Sequence, residues 1–131
     1  MAEILLRYNS AMTYFLVKAA HVLGAFWLFA ALGSIALRQL GTTPQAKDRA
    51  HKLSGLTHGL SLVLILVTGF WILGIMKYDF SLWVWLKLGI WLLLGASIAV
   101  VRRTPKLAAL WWWLLPLLGA VAAWLCFAKP S

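Results

Sequence analysis

Four ionisable side chains stand inside long apolar stretches of this sequence: Lys18, His21, His58 and Lys87. An ionisable group at membrane depth is costly and points to function by default. Lys18 and His21 are three residues apart, so on a helix they share a face, about 4.5 Å apart along the axis. Lys87 lies about as deep in its own stretch as Lys18 does. Three basic groups therefore meet near one level, and no acid inside the stretches balances them, because Glu3, Asp48 and Asp79 are terminal or in links. Such a set invites an external anion. The missing carboxylate also argues against a small four-helix multidrug exporter, a carboxylate proton relay and a carboxylate metal site. Met12, Met76 and Cys126 are scattered, which disfavours copper, and a lone cysteine excludes a disulfide framework.

The ligand that fits this set is a tetrapyrrole. Aliphatic and aromatic walls would hold its flat apolar ring, Lys18 and Lys87 would pair its carboxylates, and neutral imidazole would supply an axial bond to iron. His21 is the expected metal ligand, with haem b as the cofactor. His58 is a further cofactor-binding candidate. Its depth differs from that of His21 by about 10 Å in a core of about 30 Å, which disfavours a bis-histidine pair unless the helices tilt strongly. The plain alternative is that the lysines snorkel to headgroups and that His21 bonds to a hydroxyl, Ser61, Thr68 or Ser97. His51, in a polar connection, reads as solvated.

These residues must be positioned by membrane helices. The chain has 131 residues, is 63% apolar and carries 12 Lys+Arg against 3 Asp+Glu, a composition outside the soluble range. Four stretches reach the roughly 20 residues a span needs: roughly 11–37, 53–76, 81–101 and 107–128. The expected fold is all-α, a single integral membrane domain forming an antiparallel up-down four-helix bundle, with no room for a separate catalytic domain. The first span is too long for a signal peptide. Gly41-Thr42-Thr43-Pro44 marks a helix end and a new start, so 45–52 reads as a polar helical lead-in. The link 77–80 is short enough to make its flanking helices antiparallel neighbours. Thr104 reads as an N-cap with Pro105 in the first turn, and Pro116 should bend the last helix.

The charge of +9 is a topology signal, since most basic residues flank apolar stretches; no nucleic-acid partner is expected. Seven Lys/Arg (Arg38, Lys47, Arg49, Lys52, Arg102, Arg103, Lys106) fall in two connections, against Arg7, Lys77 and Lys129 on the other side. This places both connections in the cytoplasm and both termini outside, in a bacterial inner (plasma) membrane. An aromatic belt then has Trp111-Trp112-Trp113 inside and Trp71, Tyr78, Trp83 and Trp85 outside, and most of the nine tryptophans read as interface anchors. A faint repeat relates Tyr14-x-x-x-Lys18 to Trp83-x-x-x-Lys87, and Gly55 and Gly59 form a GxxxG surface for close helix approach.

Tyr14-Phe15-Leu16-Val17-Lys18-Ala19-Ala20-His21 resembles the Lys-Ala-x-His opening of the HemJ-type protoporphyrinogen oxidases and their CopD-like and SirB-like relatives. Thr68-Gly69-Phe70-Trp71, Trp85-Leu86-Lys87-Leu88 and Ala128-Lys129-Pro130 are similar to later stretches of that family, and together the four cover most of the chain. The resemblance implies that His21 is the haem-associated histidine and that Lys18 and Lys87 belong to the site. It also implies oxidation of protoporphyrinogen IX, with electrons passed to a membrane acceptor such as quinone. The chain departs from the family in Gly33-Ser34-Ile35-Ala36-Leu37-Arg38, where those enzymes have aromatic-Leu-Pro-Arg, and in Gly95-Ala96-Ser97, where they have a Tyr-His pair.

Two functions remain open: a haem- or porphyrin-binding membrane protein, oxidoreductase or not, and a cofactor-free accessory or assembly subunit in a homo-oligomer or larger membrane complex. Both share the topology, which reporter fusions test. Fusions in 38–52 and at 102–106 are expected to be active only as cytoplasmic reporters, and an outward-facing 38–52 connection would overturn the charge-based orientation.

Overall fold

The computed structural model describes residues 1–41 and 49–130. All regular structure among them is helical: α1 (Ala2–Leu40), α2 (Arg49–Met76), α3 (Leu82–Arg103), a 3₁₀ turn (Pro105–Leu107) and α4 (Ala108–Ala128). Each of the four long helices, the last counted with its 3₁₀ turn, is long and apolar enough to cross a membrane. The 45–52 lead-in is helical from Arg49; its first four residues, and the turn beyond Gly41, lie outside the described residues.

The largest departure from expectation is at the start. Helix α1 begins at Ala2 rather than near residue 11 and has 39 residues, about 58 Å of helix against a core of about 30 Å. Its first turns, including Ile4, Leu5, Leu6 and Tyr8, are exposed. Helix α2 ends in a Schellman motif: Tyr78 N–H donates to the Leu73 carbonyl and Lys77 N–H to the Gly74 carbonyl. Lys77 takes the left-handed position (φ 53°) that glycine usually fills. Thr104 precedes the 3₁₀ turn as expected but makes no side-chain cap bond; its hydroxyl donates to the Val100 carbonyl and accepts from Trp111 Nε1–H. Helix α4 continues through Pro116.

Helices α1 and α3 each touch all three others, and the most extensive packing is that of α1 against α2. Contacts between α1 and α2 fall in descending register: Ser34 with Ser54, Gly24 with Ile65, and His21 with Thr68. The same holds for α2 and α3 through Gly55 with Arg102, His58 with Leu94 and Leu62 with Trp91. The buried apolar cluster comes from α1 (Leu28, Leu32, Ile35, Ala36), α3 (Leu94, Val101) and α4 (Leu115).

What α2 buries is polar: Ser54, His58, Ser61 and Thr68. Their spacing places them within a wedge of about 80° around the helix. Of its apolar residues, Leu62, Leu64 and Ile65 pack at the helix contacts, whereas Leu56, Leu60, Val63 and Val67 face outward. This is the polarity expected where the surroundings are hydrocarbon. The total accessible surface, 8,987 Å² for 14.6 kDa, exceeds the roughly 6,900 Å² of a soluble monomer of that mass, and exposed side chains such as Phe26, Leu92, Trp113 and Phe127 contribute to it.

The GxxxG pair is not where these helices approach most closely. A Cβ on Gly59 would meet nothing within 4 Å, and one on Gly55 would meet only the Arg102 guanidinium, whereas one on Gly24 would come within 3.0 Å of Ile65 and 3.3 Å of Leu64. The residues opposite Gly24 are branched and wedged between helices, so they have little room to yield. Gly24→Leu is therefore expected to destabilise the protein by about 1–3 kcal/mol, read by denaturant unfolding in micelles, and Gly59→Leu to leave stability within about 0.5 kcal/mol of the parent. The reverse ranking would return the close approach to the GxxxG face.

Candidate functional site

The four candidates fall into two places. Lys18, His21 and Lys87 converge toward the end of the bundle where α2, α4 and the 77–80 link also terminate. His58 does not join them. His21 meets α2 at Thr68 and His58 belongs to α2 ten residues earlier, so the two imidazoles are about 15 Å apart along that helix.

His21 is half-buried between α1 and α2, with Nδ1 2.8 Å from Thr68 Oγ1. The Thr68 hydroxyl has one proton, and it goes to the Leu64 carbonyl at 2.5 Å. Thr68 must therefore accept from His21, which fixes the proton on Nδ1 and leaves the lone pair on Nε2. Imidazoles that bind metals through Nε2 are held in this way, by an acceptor on the other ring nitrogen. Gly69 provides the space: a Cβ there would lie 3.4 Å from the ring. Of the three hydroxyls that sequence offered to His21, register selects Thr68.

His58 is held in the opposite tautomer. Its Nε2 is 3.0 Å from the Leu94 carbonyl, which can only accept, so Nε2 carries the proton. Ser97 donates to the same carbonyl. With 4% of its surface exposed, His58 ties α2 to α3 inside the bundle.

The lysines find neutral partners. Lys18 Nζ donates to the Tyr14 hydroxyl at 3.0 Å and lies over its ring. Lys87 Nζ is 2.9 Å from Cys126 Sγ on α4 and lies within electrostatic reach of His21. Lys18 is in turn within electrostatic reach of Cys126 and Tyr78. A third lysine belongs to the same end: Lys129 donates to the Tyr78 hydroxyl at 2.7 Å and covers its ring, which packs edge-on against Trp83. None of the three pairs with a carboxylate among the described residues.

Sequence reasoning missed Cys126, Tyr78 and Lys129 as members of this group. Cys126 reads as one more residue of an apolar run until α4 is set beside α3. Tyr14 was available from its i, i+4 spacing to Lys18. Beside Lys18, the outer face of α1 forms an open apolar shelf of about 430 Å³ lined by Phe15, Ala19, Val22, Leu23 and Phe26. At 3.6 residues per turn, its centre is about 130° around α1 from His21, so the shelf and the imidazole serve different directions.

No group of three or more His, Cys, Asp or Glu side chains is placed to hold a metal ion among the described residues. Comparison with protein-family models, with curated proteins and with solved structures returned no match.

The proton assignments are directly measurable. In ¹⁵N-labelled neutral protein, His21 is expected as the Nδ1–H tautomer and His58 as the Nε2–H tautomer, distinguished by their ring nitrogen shifts. Thr68→Val should release His21 from its fixed tautomer and leave His58 unchanged; an Nε2–H His21 in the parent protein would refute the assignment.

Proposed function

We propose that this protein binds a haem or porphyrin at the lysine end of an antiparallel, up-down four-helix membrane domain in the bacterial inner membrane, both termini facing outward. The observation that carries the reading is the company of the lysines: Lys18, Lys87 and Lys129 face phenol and thiol groups rather than carboxylates. A ligand bringing its own carboxylates supplies what the chain lacks, and charge-assisted hydrogen bonds are the stronger kind.

The donor set also fits iron. His21 would hold it through Nε2, with Thr68 fixing the ring, while Lys18 and Lys87 would pair the propionates. Bound there, haem would supply one-electron redox chemistry and a route for oxidising a reduced porphyrin such as protoporphyrinogen IX, with a membrane acceptor downstream. The chain's own part is to orient the imidazole, to neutralise the acids and to keep His58 and its carbonyl as a separate structural tie. A cofactor-free accessory subunit is the second reading, favoured by the open face at Gly59, which is available to a partner helix.

Absorption spectroscopy separates the two. Purified protein supplemented with haem b is expected to develop a Soret band, and His21→Ala to abolish it while the protein remains inserted and helical. Lys18→Ala and Lys87→Ala should each weaken retention about tenfold, the value of one charge-assisted bond, without altering the axial spectrum. His58→Ala should leave the spectrum unchanged and lower stability by about 1 kcal/mol through loss of its bond to Leu94. A colourless preparation after haem supplementation would favour the accessory reading.

A further inference from the structure

Helix α1 outruns the bundle it belongs to. Its pairings with α2, Gly24 opposite Ile65 and His21 opposite Thr68, set Met76 at the end of α2 level with Thr13. Residues 2–12 therefore continue about 16 Å past the end of α2, and each of them is exposed. They are far from polar, since Ile4, Leu5, Leu6, Tyr8 and Met12 stand among them. No acyl chain covers a segment that reaches past the ends of the other helices, and so short a helix is marginal in water without a neighbour.

The exposed apolar residues of α1 follow a coiled-coil period. Leu5, Met12, Ala19 and Phe26 recur every seven residues, and Tyr8, Phe15 and Val22 recur three residues after the first three of them. These are the a and d positions of a heptad repeat. All seven are exposed, in a stripe about 100° wide on the side of α1 away from His21. The apolar shelf is part of the same pattern. In knobs-into-holes packing, Ala19 of a second, parallel helix enters the hole made by Phe15, Lys18, Ala19 and Val22, and its Val22 enters the hole made by Ala19, Val22, Leu23 and Phe26. Those two holes together are the six residues that line the shelf. The seam stops at the next d position, where Phe29 turns to α4 and lies against Gly119.

The seam suits a second copy of this chain. No a or d position is charged, so identical helices meet there without repulsion. The one charge at a flanking position, Lys18 at g, faces Leu23 of the second copy in a parallel pair rather than its own equivalent, and its Nζ is held by Tyr14 on its own helix. Copies inserted with one topology run α1 parallel, and a two-fold axis along the membrane normal closes the pair. We propose that this face of α1 joins two copies in a parallel coiled coil, with Leu5, Tyr8 and Met12 outside the lipid and Phe15, Ala19, Val22 and Phe26 within it. The pairing does not rest on haem binding at the lysine end.

The test uses the full chain carrying Cys126→Ser, so that any disulfide reports an added thiol. In native membranes under mild oxidation, Tyr8→Cys is expected to form a disulfide-linked dimer, because equivalent d positions of a parallel pair lie within disulfide reach. Ser10→Cys, on the other side of the helix, should not. Affinity is read by energy transfer between separately labelled copies in lipid vesicles. Leu5→Glu sets two like charges against each other and should weaken pairing at least about 100-fold. Leu6→Glu, at a similarly exposed neighbour off the seam, should change it less than about twofold. Both leucines are exposed in the single chain, so neither change threatens its folding. Equal cross-linking at residues 8 and 10, or equal affinities for Leu5→Glu and Leu6→Glu, would overturn the seam. Absence of energy transfer in the parent would overturn the pairing, and a Tyr8→Cys chain that links to a different protein would overturn the second copy as its occupant.

Discussion

A polar group inside hydrocarbon has no water to fall back on, and each one left without a partner costs several kcal/mol. Helix α2 meets this constraint by turning its serines, threonine and histidine inward. Ser54 pairs with Ser34, Thr68 receives His21, His58 donates to the Leu94 carbonyl and Trp91 reaches the Leu62 carbonyl. Ser61 and Thr68 also return their protons to carbonyls one turn earlier, and no side-chain polar atom is left buried without a partner among the described residues. Because apolar contact alone gives little preference between a helix neighbour and a lipid tail, these directional bonds, with the close fit at Gly24, fix which face of α2 meets α1 and α3.

Histidine illustrates how the same side chain is assigned two tasks by its acceptor. A threonine whose proton is already committed makes His21 a donor at Nδ1 and leaves Nε2 for something else. A carbonyl makes His58 a donor at Nε2 and closes it within the bundle. The cations are sorted in a comparable way. Lys18, Lys87 and Lys129 lie beside phenol and thiol groups at one end, while Arg38 and Arg102 line a cleft with Gln39, Ser54 and His51 at the other.

Hydropathy made the four helices legible: α3 and α4 begin and end within about two residues of the expected stretches, and α2 ends at Met76 as expected but starts at Arg49, four residues before its apolar stretch. The start of α1 was not legible, because an apolar window marks what can lie in lipid, whereas Ala2-Glu3-Ile4-Leu5-Leu6 is simply a good helix-forming run. The level shared by Lys18, His21 and Lys87 could be counted from the sequence. The place of Cys126 could not, since its lysine is on another helix and 39 residues away, and only the packing of α3 on α4 brings them together. Gly24 was equally silent: it belongs to no motif, and its importance comes from the branched side chains of Leu64 and Ile65 opposite it.

The backbone N–H of Trp83, one of the unsatisfied donors at the start of α3, bonds to the carbonyl of Pro130 at 3.2 Å. Lys129, in the left-handed conformation (φ 40°), turns the chain there after α4. This clasp ties the first turn of α3 to the residues just past α4, so the helix that carries Lys87 and the turn that carries Lys129 share one backbone bond, and loosening the end of α4 takes a partner from the start of α3.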